Sequence, residues 1–357
     1  MAINATIYDT ATLLGVIRDN RTMQPPVAYW LPLCFPNVIN FTDEYIDFSK
    51  LSENRKLAPL VVPTAQGVPI YSAAERMVRV KPAYLKPKDP VTASRMIKRQ
   101  AGFGELNANA PSTPQSRYNA IVADIMRQHR WSIERRWEWM AAQAIIEGEV
   151  ILEDERYPRT VVNFGRASDQ DVTLGGSVQW GDAGISIIAS VASMRETMRT
   201  APFGGAGNRI TMGSDAWAKM QADDEIRELL NTDLRAFNNG MSLNLGLADG
   251  TGEVEFVGRL SGTVELVVYS DYYQDEDGDV VPFLATNDIV ITGPNVQGYR
   301  CFGAIQDVAA SFQALEIFPK MWNEEDPSAT LIMNQSAPLM VPLNPNATFH
   351  ATVCDAS

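Results

Sequence analysis

The strongest pattern in the chain runs from about residue 112 to 148. Tyr118, Val122, Ile125, His129, Ile133, Trp137, Met140 and Ala144 recur in steps of three and four, the spacing of one helix face. Thr113 offers an N-terminal cap, Pro114 suits the first helical position, and Gly148 supplies a stop. The spacing predicts a helix over about 114–147, roughly 51 Å long at 1.5 Å per residue. Globular helices average about a third of that length. Arg127, Arg130, Glu134, Arg135 and Glu138 exclude a membrane span, and Trp137 and Trp139 fall on nearly opposite faces. Such a helix is expected to be a spine covered by several partners rather than a two-stranded seam.

Period two replaces period three to four around Arg76-Met77-Val78-Arg79-Val80-Lys81, as in a strand exposed on one side. Pro63, Pro69, Pro82, Pro87 and Pro90 preclude a long helix there. Residues 51–100 are also basic: Arg55, Lys56, Arg76, Arg79, Lys81, Lys86, Lys88, Arg95, Lys98 and Arg99 stand against Glu53, Glu75 and Asp89. A lone extended hairpin is marginal in water. It therefore lies either on a neighbouring surface or as a solvated flap on its own domain, and composition does not choose between the two.

Residues 176–308 alternate the two periods and read as a mixed α/β unit. Helices are expected at Ile185–Arg199, after Ser214-Asp215 and at Asp223–Leu230; strands are expected at Arg209–Met212, Val254–Leu260, Thr263–Tyr269 and Asp288–Thr292. From about 311 onward come short strands broken by Pro319, Pro327, Pro338, Pro342 and Pro345. There is no internal repeat.

Composition narrows the functional classes. The 357 residues are 45% apolar and 20% charged, enough for one large subunit or two domains. No run approaches the roughly 20 apolar residues of a membrane helix, and the start of the chain lacks a signal-peptide pattern. A net charge of −13 argues against a nucleic-acid binder with a basic face but still allows a nucleic-acid container, since an acidic lining resists sticking to phosphates. Cys34, Cys301 and Cys354 have no metal-ligand spacing and are expected as buried free thiols. With only His129 and His350, a His-based metal centre or nucleophile–His pair has little to work with.

Candidate chemistry fails residue by residue. An EF-hand placing Gly278 at its sixth position would run from Tyr273 to Leu284, lacking the first carboxylate and the closing glutamate. Asp277-Gly278 is better read as a hairpin turn. Gly204-Gly205-Ala206-Gly207 lacks the Lys-Ser/Thr of a P-loop and reads as a loop. Glu134 and Glu138 share a helix face, but no Glu-x-x-His partners exist, so a structural charged stripe is expected. No carboxylate pair is singled out for hydrolysis. No catalytic, metal or cofactor-binding residue is assigned, and no cofactor is expected.

Several local stretches resemble the lambda-type major head protein family of tailed phages. These are Phe41-Thr-Asp-Glu44 leading to Ala58-Pro-Leu-Val-Val-Pro63, Pro82-Ala-Tyr-Leu-Lys-Pro-Lys88, Ile305-Gln-Asp307, Phe318-Pro-Lys-Met-Trp322, Asp326-Pro327 and Gln335-Ser-Ala-Pro-Leu-Met340. The resemblance implies an α+β, HK97-like capsid fold. Its parts would be an N-terminal arm and the start of a P domain (1–50), an extended E-loop (51–100) and a P domain with the spine helix (101–175). A mixed α/β A domain (176–308) and returning P-domain strands (309–357) would complete it. It further implies hexamers and pentamers closing into an icosahedral head around double-stranded DNA, with only non-specific DNA contact and no membrane. A separate decoration protein, scaffold protein, maturation protease and portal are implied as partners. The location implied is the virion, with the host cytoplasm during assembly. An encapsulin-like compartment is the alternative within the fold, and a carboxylate-based hydrolase the alternative outside it. The E-loop would cross a neighbouring subunit, which makes Arg76, Arg79, Lys81, Lys86 and Lys88 candidates for intersubunit contact. Asp275, Glu276 and Asp277 are the acidic candidates, from a stretch (251–300) with nine acids and two arginines. Covalent crosslinking through Lys81, Lys86 or Lys88 is not expected.

Overall fold

A computed structural model describes residues 8–18, 28–50, 76–92, 114–154, 156–233, 242–243, 253–260, 263–275, 278–325 and 329–356. The chain begins with α1 (Thr10–Arg18), α2 (Trp30–Cys34) and β1 (Asn37–Asn40), then the paired strands β2 (Ile46–Lys50) and β3 (Arg76–Val80). β4 (Lys88–Thr92) precedes the long helix α3 (Pro114–Ile146), which is followed by the hairpin β5 (Glu149–Asp154) and β6 (Tyr157–Asn163). Then come β7 (Asp171–Thr173), α4 (Ile187–Thr200), β8 (Arg209–Met212), α5 (Ser214–Ala222) and α6 (Asp224–Asp233). β9 (Ser242–Leu243), β10 (Val254–Leu260), β11 (Val264–Tyr269), β12 (Tyr272–Gln274), β13 (Val280–Pro282) and β14 (Asp288–Thr292) follow. The last strands are β15 (Tyr299–Phe302), β16 (Phe318–Glu324), β17 (Ala329–Gln335), β18 (Pro338–Val341) and β19 (Thr348–Thr352).

The spine helix matches its periodicity. Tyr118, Val122, Ile125, His129, Ile133, Trp137, Met140 and Ala144 are all buried, as are Ile121, Met126, Ala141 and Ile145. α1, α2, β4, β5, β17, β18 and β19 all pack against it, so the expectation of several covering partners holds. Its expected cap, Thr113, lies outside the described residues. The stop is as expected: Gly148 has φ +72°, and Arg166 Nη1 donates to the Ile145 carbonyl at 2.9 Å, closing the last turn.

Beside the spine lie two three-stranded sheets, β1-β15-β18 and β16-β17-β4. A seven-stranded sheet, ordered β7-β19-β14-β8-β11-β10-β9, forms the α/β part, with α4, α5 and α6 alongside. Three boundaries expected from sequence shift. The extended hairpin begins to pair at Ile46 rather than 51, with Ile46 opposite Val80 and Lys50 opposite Arg76. β4 lies within 51–100 yet pairs with β17 from Ala329↔Thr92 to Met333↔Lys88. β19, expected to return to the spine layer, instead joins the seven-stranded sheet between β14 and β7. The register explains this last difference: Phe349 and Ala351 of β19 are buried against the apolar run of β14, Ile289, Val290 and Ile291. Helix starts also move by a residue or two. Ser186 caps α4 by accepting from the Ala189 N–H at 3.1 Å, and Ser214 is already helical rather than a cap. All three cysteines are buried and free. Burial pushes the Cys34 and Cys301 thiols up to about 12, so both stay protonated at neutral pH.

Candidate assembly surface

Three buried polar knots fix the body against which any assembly surface is set. Glu138, on the spine, is buried rather than part of a charged stripe, and Glu134 pairs instead with Arg130 at 2.7 Å. The Glu138 carboxylate accepts the backbone N–H groups of Tyr29 (2.9 Å), Trp30 (2.6 Å) and Leu31 (3.1 Å), the otherwise unpaired start of α2. Burial pushes its pKa up, against the pull of those three donors. Arg135, one turn away, bonds buried Asp271 at 2.5 Å and lies over the Phe283 ring. His350 donates or accepts between two strands: its ring nitrogens meet Asp171 of β7 at 2.8 Å and Asp288 of β14 at 3.0 Å. Burial alone would lower its pKa, but the hydrogen bonds its ring donates to the Asp288 and Asp171 carboxylates outweigh it and raise the pKa. Sequence gave no sign of these knots, because each joins residues more than 60 positions apart and one carboxylate in a sequence looks like another.

The hairpin base carries most of the basic candidates. Arg79 bonds Asp47 in a bidentate pair, Nε–Oδ1 at 2.8 Å and Nη2–Oδ2 at 2.9 Å, directly across the two strands. Each partner stabilises the other's charge: the hydrogen bond holds Asp47 below the usual carboxylate range and raises Arg79. Lys81 pairs with Glu44, which also accepts from Gln306 Nε2 at 2.9 Å and is lowered by the two in that order. Arg79 and Lys81, candidates for intersubunit contact from the sequence, are each paired with an acid of their own chain. Lys86 stands over the Tyr84 ring at 5.0 Å, and Lys88 is exposed on β4. The side chain of Arg76 is outside the described residues. Tyr84 donates to the Ala304 carbonyl and accepts the Gln306 N–H at 2.9 Å, fastening this segment to the body.

Of the acidic candidates, Asp275 sits at a hairpin turn between β12 and β13. Its carboxylate accepts the Asp279 N–H at 2.9 Å, and Gly278 has φ +87°, as the turn reading requires. Glu276 and Asp277 lie outside the described residues.

Two surface features were not visible in the sequence. A groove of about 560 Å³ runs between β3 and β6, lined by Val78–Lys81 on one side and by Tyr157, Pro158 and residues 160–163 on the other. A short loop at 307–313 exposes Val308 (81%) and Phe312 (57%) while its backbone is held fast. Asp307 accepts Lys320 Nζ (2.8 Å), Gln335 Nε2 (3.1 Å) and the Ala309 N–H (2.9 Å). Ser311 and Phe312 both have positive φ, +51° and +57°, a costly backbone for a phenylalanine.

The geometry is one of packing, pairing and exposed strand edges, and no group of three or more His, Cys, Asp or Glu among the described residues is arranged to hold a metal. Comparison with known proteins gives the same picture. Residues 9–353 match the family "Phage major capsid protein E". The chain is 27% identical to the major capsid protein of Escherichia phage lambda over 345 residues, covering 96% of this chain and 97% of the relative. It is 26% identical to the major capsid protein of Enterobacteria phage P21 over 353 residues, covering 95% and 97%. Among solved structures, a prophage capsid protein from E. coli CFT073 superposes with a TM-score of 0.73 at 22% identity, over 98% of this chain and all of that one. The capsid of a native GTA particle superposes at 0.50 and 10% identity, over 93% of each chain. The fold is therefore the HK97-like α+β capsid fold. The chain is a structural protein rather than an enzyme, a component of the virion that self-assembles into a shell. With its body knotted internally and its exposed strands open to further pairing, it belongs to the phage major capsid protein E family.

Proposed function

We propose that this major capsid protein forms hexamers and pentamers that close into an icosahedral head around double-stranded DNA. The observation that carries this reading is the hairpin base: β2 and β3 pair with each other and with no further strand among the described residues. A two-stranded ribbon is marginal in water and gains most by lying on a neighbour. In the assembled shell the hairpin crosses the adjacent subunit. Arg79–Asp47 and Lys81–Glu44 stiffen its root, while Arg76, Lys86 and Lys88 make the intersubunit contacts, and the turn at Asp275, Glu276 and Asp277 offers facing acidic charge. Large buried area repeated by symmetry supplies most of the stability. Contact with packaged DNA is non-specific, in keeping with a net charge of −13. A separate decoration protein, scaffold protein, maturation protease and portal complete the head, which is built in the host cytoplasm.

Electron microscopy and sedimentation test this on the protein expressed alone and with its neighbouring genes. Icosahedral shells or hexameric capsomers are expected, with DNA rather than protein cargo inside particles recovered from infected cells. A stable monomer in both settings would overturn the reading.

A further inference from the structure

The two three-stranded sheets beside the spine end on β1, β18, β16 and β4, and three of these edges are defended against a further strand. β4 carries Lys88, Asp89 and Pro90, β16 carries Pro319, Lys320 and Glu324, and β18 is buried throughout. Charge, proline and cover are the usual means of keeping an edge unpaired. β1, Asn37-Val-Ile-Asn40, has none of them. Its four residues are uncharged and exposed, and it pairs with β15 alone among the described residues. The Phe41 N–H donates to the Phe302 carbonyl at 2.8 Å, on the β15 side. Successive residues of a strand direct their N–H and C=O groups to opposite edges, so Ile39 also faces β15. The N–H and C=O groups of Val38 and Asn40 therefore point to the open edge. No charged residue occurs from Phe35 to Thr42, so two copies of this edge meet without like charges opposed.

We infer that β1 pairs antiparallel with β1 of a second copy across a two-fold axis, joining two three-stranded sheets into a single continuous one. This rests on the shell reading above and names one contact between its subunits. The register follows from the open groups. Residues that bond across the axis must both point outward, so the axis passes through a residue rather than between two. Centring on Val38 would oppose Asn40 to Pro36, which has no N–H, and centring on Asn40 would draw in Thr42, beyond the strand. Centring on Ile39 sets Val38 against the second copy's Asn40, and Asn40 against its Val38, each pair exchanging both of its bonds. Ile39 then faces Ile39 of the second copy in a non-hydrogen-bonded pair, where Cα atoms approach to about 4.5 Å and side chains lie closest. An isologous contact cannot close a ring of five or six, in which neighbours meet through unlike surfaces. The pairing therefore links copies from adjacent capsomers. So short a ladder is weak alone, and it forms where larger contacts already hold the two edges together.

Particles assembled from an Ile39→Cys variant test this. The Ile39 side chain is exposed, so folding is not at stake, and the native cysteines are buried and do not compete. A disulfide-linked homodimer is expected in particles, at least about tenfold above unassembled subunits and above particles of Val38→Cys or Asn40→Cys, whose like positions lie too far apart across the axis to bridge. Hydrogen exchange on the unsubstituted chain gives a second reading. The amides of Val38 and Asn40 should be protected only in particles, while those of Ile39 and Phe41 are protected in free subunits as well. Particles lacking the link at residue 39 or the protection at 38 and 40 would overturn the inference. So would a link at 38 or 40 equal to that at 39, or protection that appears only when a decoration protein is added. Absence of particles from the unsubstituted chain would instead sink the shell reading itself, and this pairing with it.

Discussion

The junction around the spine helix and the root of the hairpin both use acids and bases, but in opposite ways. At the junction, Glu138 and Asp271 are buried, and Glu138 serves three donors at once. At the hairpin root, Arg79, Asp47, Lys81 and Glu44 sit near the surface, mostly exposed, in simple cross-strand or loop pairs. A buried carboxylate with three backbone donors determines where α2 may sit, since any other arrangement strands several polar groups. A solvated pair sets an angle and little more. Thus the body is specified by penalties for being wrong, while the hairpin is left adjustable, as suits an element proposed to lie on another subunit.

This contrast can be broken by substitution. Glu138→Ala should have the largest effect, leaving the N–H groups of Tyr29, Trp30 and Leu31 without their acceptor. A loss of about 3–5 kcal/mol is expected in chemical denaturation. A loss under about 1 kcal/mol would mean that water takes the place of the carboxylate and that the knot is not specifying. A smaller effect is expected from pH acting on His350. Its folded pKa is raised, so its contribution is fully present below the ordinary value near 6.5 and is lost as pH rises through the raised value. The thermal midpoint should therefore fall across that window in the wild type, and His350→Gln should flatten the dependence. A midpoint that rises with pH in the same window would assign the wrong charge state to the knot. The least effect on folding, and the largest on assembly, is expected from Arg79→Glu with Lys81→Glu. These place like charges against Asp47 and Glu44, splaying the hairpin root while the monomer keeps its circular dichroism. Normal particles from that double variant would show the root to be irrelevant to the shell.

Legibility in the sequence follows the same division. The spine could be read because its burial repeats every three to four residues, and its end because Gly148 has no side chain to obstruct a left-handed turn. Strands such as Arg209–Met212 and Asp288–Thr292 fell where period and turn residues placed them. What stayed hidden was pairing at long range. Nothing local distinguishes Glu138, which anchors α2, from Glu134, which pairs within its own helix. The place of β19 in the seven-stranded sheet is set by β14, more than fifty residues earlier, and not by its own proline-flanked surroundings. The basic grouping of the hairpin was visible as charge but its pairing was not, because the acids that meet Arg79 and Lys81 come from a strand and loop over thirty residues away.

The position of β19 also bears on timing. Among the described residues, β7 pairs in the sheet with β19 alone, and the knot of Asp171, His350 and Asp288 closes across both. A chain still being synthesised has the spine and most of the α/β sheet, but not this closure, until residues 348–352 have emerged from the ribosome. Incomplete copies with open strands would be prone to pair with one another. Because β19 follows every other strand of its sheet in chain order, a copy that stops short of residues 348–352 cannot form the closed, rigid body.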